Sequence, residues 1–364
     1  MPVRSLLRGA AALASRSVDV AVVRLAQYAG GRGRPPRSEG EQRQRLEHAV
    51  ASSGALDLAS FYARPAPISP REEPVTPASP EARFLAGARA RRGASELPAV
   101  LDLSWPSAFE PAGPEVRAPY LAVAENRTAR ARLFRHLVPA PVVICIHGYG
   151  AGQPAFEERA FGVPFLFRLG LDVALFQLPF HAQRRPREGR VPLFPSSDTA
   201  RTVQAFGQAV HDLRALGAWL RVRGAPSVGL AGMSLGGYTA ALAATVEPFD
   251  FLVPFIPLAD VTAVHLEHET LRERRVAPEL LALGHQALAP VAPLARKPLL
   301  APERALVIAA RHDRITAPAT HAARLASHFG ARLVWFEGGH LLQLGRRKAF
   351  GELARFLGGL GVAR

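Results

Sequence analysis

Six short apolar runs, at residues 142–146, 172–178, 227–232, 249–257, 305–310 and 332–336, recur along this chain with longer segments between them. A strand covered on both faces has no polar side to present, so it reads as an unbroken apolar run rather than an alternating one. The segment 198–222 carries Val203, Phe206, Val210, Leu213, Leu216 and Leu220 at three- and four-residue spacing, the signature of an amphipathic helix. Buried strands alternating with helices predict an α/β fold with a mostly parallel sheet and helices on both faces. Residues 117–124 and 129–136, separated by Glu125-Asn126-Arg127-Thr128, read as an antiparallel hairpin at the start of the sheet.

The chain has 364 residues, enough for one large domain and an extension. Residues 1–97 read as an N-terminal extension of helical segments and Pro/Arg-rich linkers that wraps the domain, and 98–364 as the domain itself. The prolines of Pro65 to Pro80 argue against regular structure there. Residues 261–303 break the alternation and predict a small cap insertion, with a long crossover helix as the plainer reading. Arginines and Asp19 interrupt the apolar patches of residues 1–29, and no stretch approaches the roughly 20 residues that span a bilayer. Net charge is +15, and the only lysines are Lys297 and Lys348. The arginines are scattered rather than clustered, which fits compositional bias and gives no nucleic-acid signature. Residues 1–37 nevertheless hold seven arginines against Asp19 alone, a pattern that would draw a peripheral segment to an anionic membrane surface. The single cysteine, Cys145, lies in the apolar run 142–146 and reads as a small buried hydrophobe. Nothing requires an oxidising compartment, so a cytoplasmic, optionally membrane-peripheral location is expected.

Between the fourth-from-last apolar run and the helical stretch after it stands Gly232-Met233-Ser234-Leu235-Gly236. A serine on a sharp strand-to-helix turn carries its hydroxyl above the sheet edge, and flanking glycines remove Cβ atoms that would clash. Serine needs a base to take its proton, and the base needs a carboxylate to fix its tautomer. His340, after the run 332–336 and the pair Gly338-Gly339, is the expected base. Asp313, after the run 305–310, is the expected acid, with Asp260 as its competitor at the end of another run. His312 and His321 compete with His340, the first beside the acid and the second inside an expected helix. His147-Gly148-Tyr149-Gly150 follows the run 142–146, where one backbone N–H could meet a developing oxyanion, and Leu235 would supply the other. Phe180, His181, Arg184 and Arg185 follow another run and read either as pocket or anion-binding residues or as a plain surface loop. His265 and His268 lack a third ligand, so no metal is expected.

These motifs, in this order, resemble the α/β-hydrolase superfamily over about residues 117–360. The leading helical segment is similar to that of uncharacterised bacterial hydrolase-fold groups. The resemblance implies Ser234 as nucleophile, Asp313 as acid, His340 as base, and the amides of Tyr149 and Leu235 as the oxyanion hole. His147, Gly148, Gly150, Gly232 and Gly236 support that geometry. It further implies an esterase- or lipase-like enzyme that needs no cofactor and cleaves a small-molecule or lipid acyl ester. An acyltransferase on the same acyl-enzyme, or a binding protein that keeps the elbow without turnover, are the alternatives.

Overall fold

Strand β4, Val142–Ile146, divides its side chains between two cores: Val142, Ile144 and Ile146 enter one, Val143 and Cys145 the other. That division is what a strand covered on both faces requires, because successive side chains point to opposite sides of the sheet. The computed structural model describes residues 12–21, 38–75, 99–188, 191–264 and 277–363. Among them the other strands are β1 Arg71–Pro74, β2 Ala99–Pro106, β3 Thr128–Arg135, β5 Asp172–Phe176, β6 Val228–Met233, β7 Leu252–Phe255, β8 Leu306–Ala310 and β9 Arg332–Phe336. They form one sheet in the order β1-β2-β3-β5-β4-β6-β7-β8-β9. From β5 to β9 every neighbouring pair is parallel, and the β1, β2 and β3 end is antiparallel.

Helices cover both faces. The long helix Thr199–Val222 and the helix Leu235–Ala243 pack with Val142, Ile144, Val228 and Leu230 on one side. The helices Val163–Arg168 and Arg346–Gly359 pack with Val143, Cys145, Met233 and Phe336 on the other. Fully burying a Val, Leu, Ile or Phe side chain contributes about 1.5–3 kcal/mol, so these two layers hold the parallel strands in register. Gly229 shows how tightly they pack: a Cβ there would lie 2.4 Å from the Phe251 ring.

Three expectations are corrected. Residues 117–124 are not a strand: Pro114–Leu121 is a helix, and β3 pairs instead with β2. Pro114 starts that helix where its missing N–H costs nothing, and Tyr120 is buried with its hydroxyl on Gln208 Oε1 at 2.6 Å. The prolines after Pro65 do not exclude structure, since Arg71–Pro74 pairs with β2 as the edge strand. An edge position leaves a proline's absent N–H without consequence. The third correction concerns Phe180, His181 and Arg184, taken up below. Within 261–303, the described part includes the helix Pro278–Leu288, which packs against Glu39–Gly54 and Thr199–Val222. His265 and His268 lie outside the described residues.

Candidate active site

All the strands that precede the expected site residues are parallel, so their C-terminal ends share one edge of the sheet, the edge where sites of such folds form. β4 delivers His147, β6 delivers Ser234, β8 delivers Asp313 and β9 delivers His340. Backbone bonds from Arg311 N to Phe336 O (3.0 Å) and His312 N to Gly338 O (3.1 Å) continue the β8–β9 pairing past the strands. They draw the acid and base loops together.

Ser234 sits between β6 and the helix Leu235–Ala243 at φ 54°, ψ −115°. A non-glycine residue held there is strained, and the surroundings enforce it. Its amide donates to Phe255 O at 3.1 Å, and its carbonyl accepts from Leu258 N at 3.0 Å and Tyr238 N at 3.2 Å. The glycines of the motif are required sterically. A Cβ on Gly232 would lie 2.1 Å from Gly236 O, and one on Gly236 would lie 1.9 Å from Ile146 O. The elbow helix therefore approaches β4 and β6 at a distance that admits no side chain at either position.

Asp313 and His340 meet. His340 Nδ1 lies 2.7 Å from Asp313 Oδ2, and both side chains are buried. Asp313 Oδ1 accepts the amides of Ile315 and Thr316 at 2.8 Å each, and Thr316 Oγ1 reaches both Asp313 Oδ2 (3.0 Å) and His340 Nδ1 (3.1 Å). Burial pulls the imidazole pKa down; the charge of Asp313, its hydrogen bond and the charge of Asp19 together outweigh that and hold it above its ordinary value. With Nδ1 committed to the carboxylate, Nε2 is the nitrogen left for a proton from a nucleophile.

Asp260 does not join this pair. Its Oδ1 accepts the amides of Thr262 and Ala263, and its Oδ2 faces His285 at 3.1 Å and Arg324 at 3.5 Å. His312 stands between Arg16 (3.4 Å) and Glu337 (3.8 Å), and buried His321 accepts the Ala259 amide on Nδ1 at 3.2 Å.

The 147–152 loop lies against the elbow: a Cβ on Gly148 would lie 3.4 Å from Ser234 Cβ. His147 donates from Nδ1 to Gly148 O (2.7 Å) and accepts the Leu178 amide on Nε2 (3.0 Å), which fixes its tautomer and occupies both nitrogens. Burial lowers its pKa to about 4, so it stays neutral and acts as a strut for the loop. Gly150 and Gly152 take φ of +74° and +104°, which suit glycine. Tyr149 is half-exposed, with its ring edge-on to His181. Leu235 is the first residue of the elbow helix, where amides lack intrahelical acceptors.

Phe180, His181 and Arg184 are all fully buried, which overturns the surface-loop and anion-binding readings for these three, while Arg185 stays partly exposed. Arg184 donates to Gln177 O (3.1 Å), Asn126 O (3.0 Å) and Asp212 Oδ2 (2.8 Å) and spans the core between β5 and the long helix. Two contributors escaped the sequence reading. Glu157 Oε1 accepts the Gly152 amide at 2.8 Å, and burial lifts its carboxyl pKa to about 7. Asp19, the single acid among seven N-terminal arginines, bonds the base loop; that imbalance was the one signal available.

The family model described as alpha/beta hydrolase domain containing 18 matches residues 117–283, a span that includes the elbow and the 147–152 loop. The parallel sheet and its serine elbow agree with that match. The chain has the α/β-hydrolase fold. The uncharacterised proteins Rv2627c and MT2702 of two Mycobacterium tuberculosis strains are each 31% identical to it over 225 residues. That match takes in 61% of this chain and 54% of each relative, so this hydrolase-fold chain spans about half the length of the curated relatives it matches. Acetyl xylan esterase 1 from Thermoanaerobacterium sp. superposes with a TM-score of 0.49 at 15% identity, covering 88% of this chain and 93% of that one. A Pyrobaculum calidifontis esterase superposes with 0.47 at 19%, covering 94% and 98%. These values bear on neither activity nor substrate. Among the described residues no helix is long and apolar enough to cross a membrane, and no group of three metal-ligating side chains forms.

Proposed function

We propose that this hydrolase-fold chain is a serine hydrolase of carboxylic esters. The observation that carries the reading is a strained serine at the end of β6 sharing a sheet edge with a buried His340–Asp313 pair at 2.7 Å. Ser234 Oγ attacks the ester carbonyl as His340 Nε2 takes its proton. Asp313 holds the imidazole tautomer and stabilises the imidazolium. The oxyanion develops toward the amides of Tyr149 and Leu235, and collapse expels the alcohol, which takes the proton back from His340. Water, activated by the same imidazole, then releases the acid.

An apolar or lipid acyl group is supported by the side chains flanking the site in sequence: Tyr149, Phe156, Leu341 and Leu344 are all exposed. Leu13 and Val18, exposed on the helix 12–21, and the basic N-terminal residues support peripheral contact with an anionic bilayer. The location proposed is cytoplasmic.

A fluorophosphonate probe should label the wild type and leave Ser234→Ala unlabelled. The same substitution should lower turnover of p-nitrophenyl esters by roughly 10⁴-fold or more, and graded acyl lengths read the pocket. Equal labelling of both proteins would refute the reading. Added alcohols that divert product from acid to ester would favour acyl transfer.

A further inference from the structure

The N-terminal helix 12–21 lies on the base loop. Its inner face carries Ser15 and Asp19, both fully buried, while Leu13 and Val18 are exposed. Asp19 Oδ2 accepts the amides of His340 (2.9 Å) and Arg314 (3.1 Å), and Oδ1 accepts the amide of Leu341 (3.0 Å). One carboxylate thus joins the residue after the acid to the base and its successor. Ser15 Oγ adds a bond to Leu342 O at 3.3 Å.

Gly339 bears an independent mark of the same contact. A Cβ there would lie 2.8 Å from Asp19 Oδ2 and 3.1 Å from Ser15 Cβ. The base loop is therefore bare of side chain where the helix presses on it. Gly338, beside it, is bare for a different reason, since its Cβ would meet Leu344 N at 2.4 Å, inside the loop itself.

We propose that Asp19 is a positioning residue for the candidate base: it locks the acid and base loops in one register, and its charge adds to that of Asp313 in favouring the imidazolium. The proposal rests on reading His340 as the base. Asp19 touches the His340 backbone and not the imidazole, so it acts through the loop and through the field. The charges around the imidazole are Asp313 from the β8 loop and Asp19 from the helix. Arg16 of the helix, His312 and Glu337 contact one another instead. Asp19 is one of the causes holding the His340 pKa up.

The test uses the full chain with Asp19→Asn, which keeps volume and removes charge, Asp19→Ala, which removes both, and Ser15→Ala as a neighbour control. Asp19→Ala should lower kcat for a p-nitrophenyl ester by about 10- to 100-fold with KM little changed, the loss expected when a reacting group is misplaced by about an ångström. Asp19→Asn should retain more of kcat and move the acid limb of the kcat/KM profile to lower pH, because the imidazolium loses a neighbouring anion. An NMR titration of the His340 ring should move the same way, and Ser15→Ala should leave both midpoints in place. Folded Asp19→Asn with an unmoved His340 titration would overturn the proposal, as would Asp19→Ala losing activity only in proportion to its unfolded fraction. The ring titration separates the two readings. An inactive wild type whose His340 midpoint still falls in Asp19→Asn sinks the esterase reading and keeps this one; an active wild type with an unmoved midpoint does the reverse.

Discussion

Two buried clusters of charge lie in this protein, and they are built in opposite ways. Between β3, β5 and the long helix, Arg184 and Asp212 are fully buried and pair at 2.8 Å, and Asp212 Oδ1 also accepts from Ser107 Oγ at 2.6 Å. Gln208 and Asn126 close the network around them. Burial alone would raise the Asp212 pKa, but the Arg184 charge and the hydrogen bonds hold it below the usual carboxylate value. At the β8–β9 edge, Asp313 and Asp19 are equally buried, yet they surround an imidazole of which the network uses only Nδ1 among the described residues. The first cluster pairs its two charges with each other inside the core, with only Arg184 Nε left without a partner among the described residues. The second holds a titratable imidazole through Nδ1 on the sheet edge that also carries the strained Ser234, and a titratable group on that edge is what the first cluster lacks.

The comparison is broken most directly at Asp313. Asp313→Asn keeps an acceptor for the 315 and 316 amides but no longer dictates the imidazole tautomer. Ester turnover should fall by about 10⁴-fold, equivalent to about 5 kcal/mol of barrier, while the urea midpoint stays near wild type. A large stability loss with modest kinetic loss would reverse the roles assigned to the two clusters.

Arg184→Met should do the opposite. It leaves Asp212 buried without its partner and should cost about 3–5 kcal/mol of unfolding free energy, read by urea denaturation, with unchanged turnover per folded molecule. The double variant Arg184→Met, Asp212→Leu should recover much of that loss, since an apolar pair often replaces a buried ion pair at little cost.

The smallest effect belongs to Glu157, whose raised pKa of about 7 means the folded state retains a proton that the unfolded chain releases near 4.5. Wild-type stability should therefore decline as pH rises between those values and level off above 7. Glu157→Gln removes that decline, and its advantage over wild type should grow to about 3 kcal/mol by pH 8. Parallel stability curves for the two proteins would show that the carboxyl ionises without penalty.

Legibility followed the range of the interactions. The places of Ser234, Asp313 and His340 on one sheet edge could be read because each stands at the end of an apolar run with turn residues beside it. The strands β4 and β9 were readable to their ends for the same reason. Residues 117–124 misled because a short segment before the turn residues Glu125 to Thr128 fits a hairpin, while the burial of Tyr120 against the long helix decided the matter from outside the segment. Arg184 read as either a pocket or anion-binding residue or a surface-loop residue because nothing adjacent announces Asp212, 28 residues onward. Asp19 was hardest to read: in sequence it merely interrupts an apolar patch, and its partner backbone is 321 residues away.

That last distance has a consequence for how the protein comes into being. Asp19 is synthesised 321 residues before His340, so until then its carboxylate waits for amides not yet made. The candidate rim is fastened only when these two distant segments meet. A chain halted before residue 338 would lack that fastening.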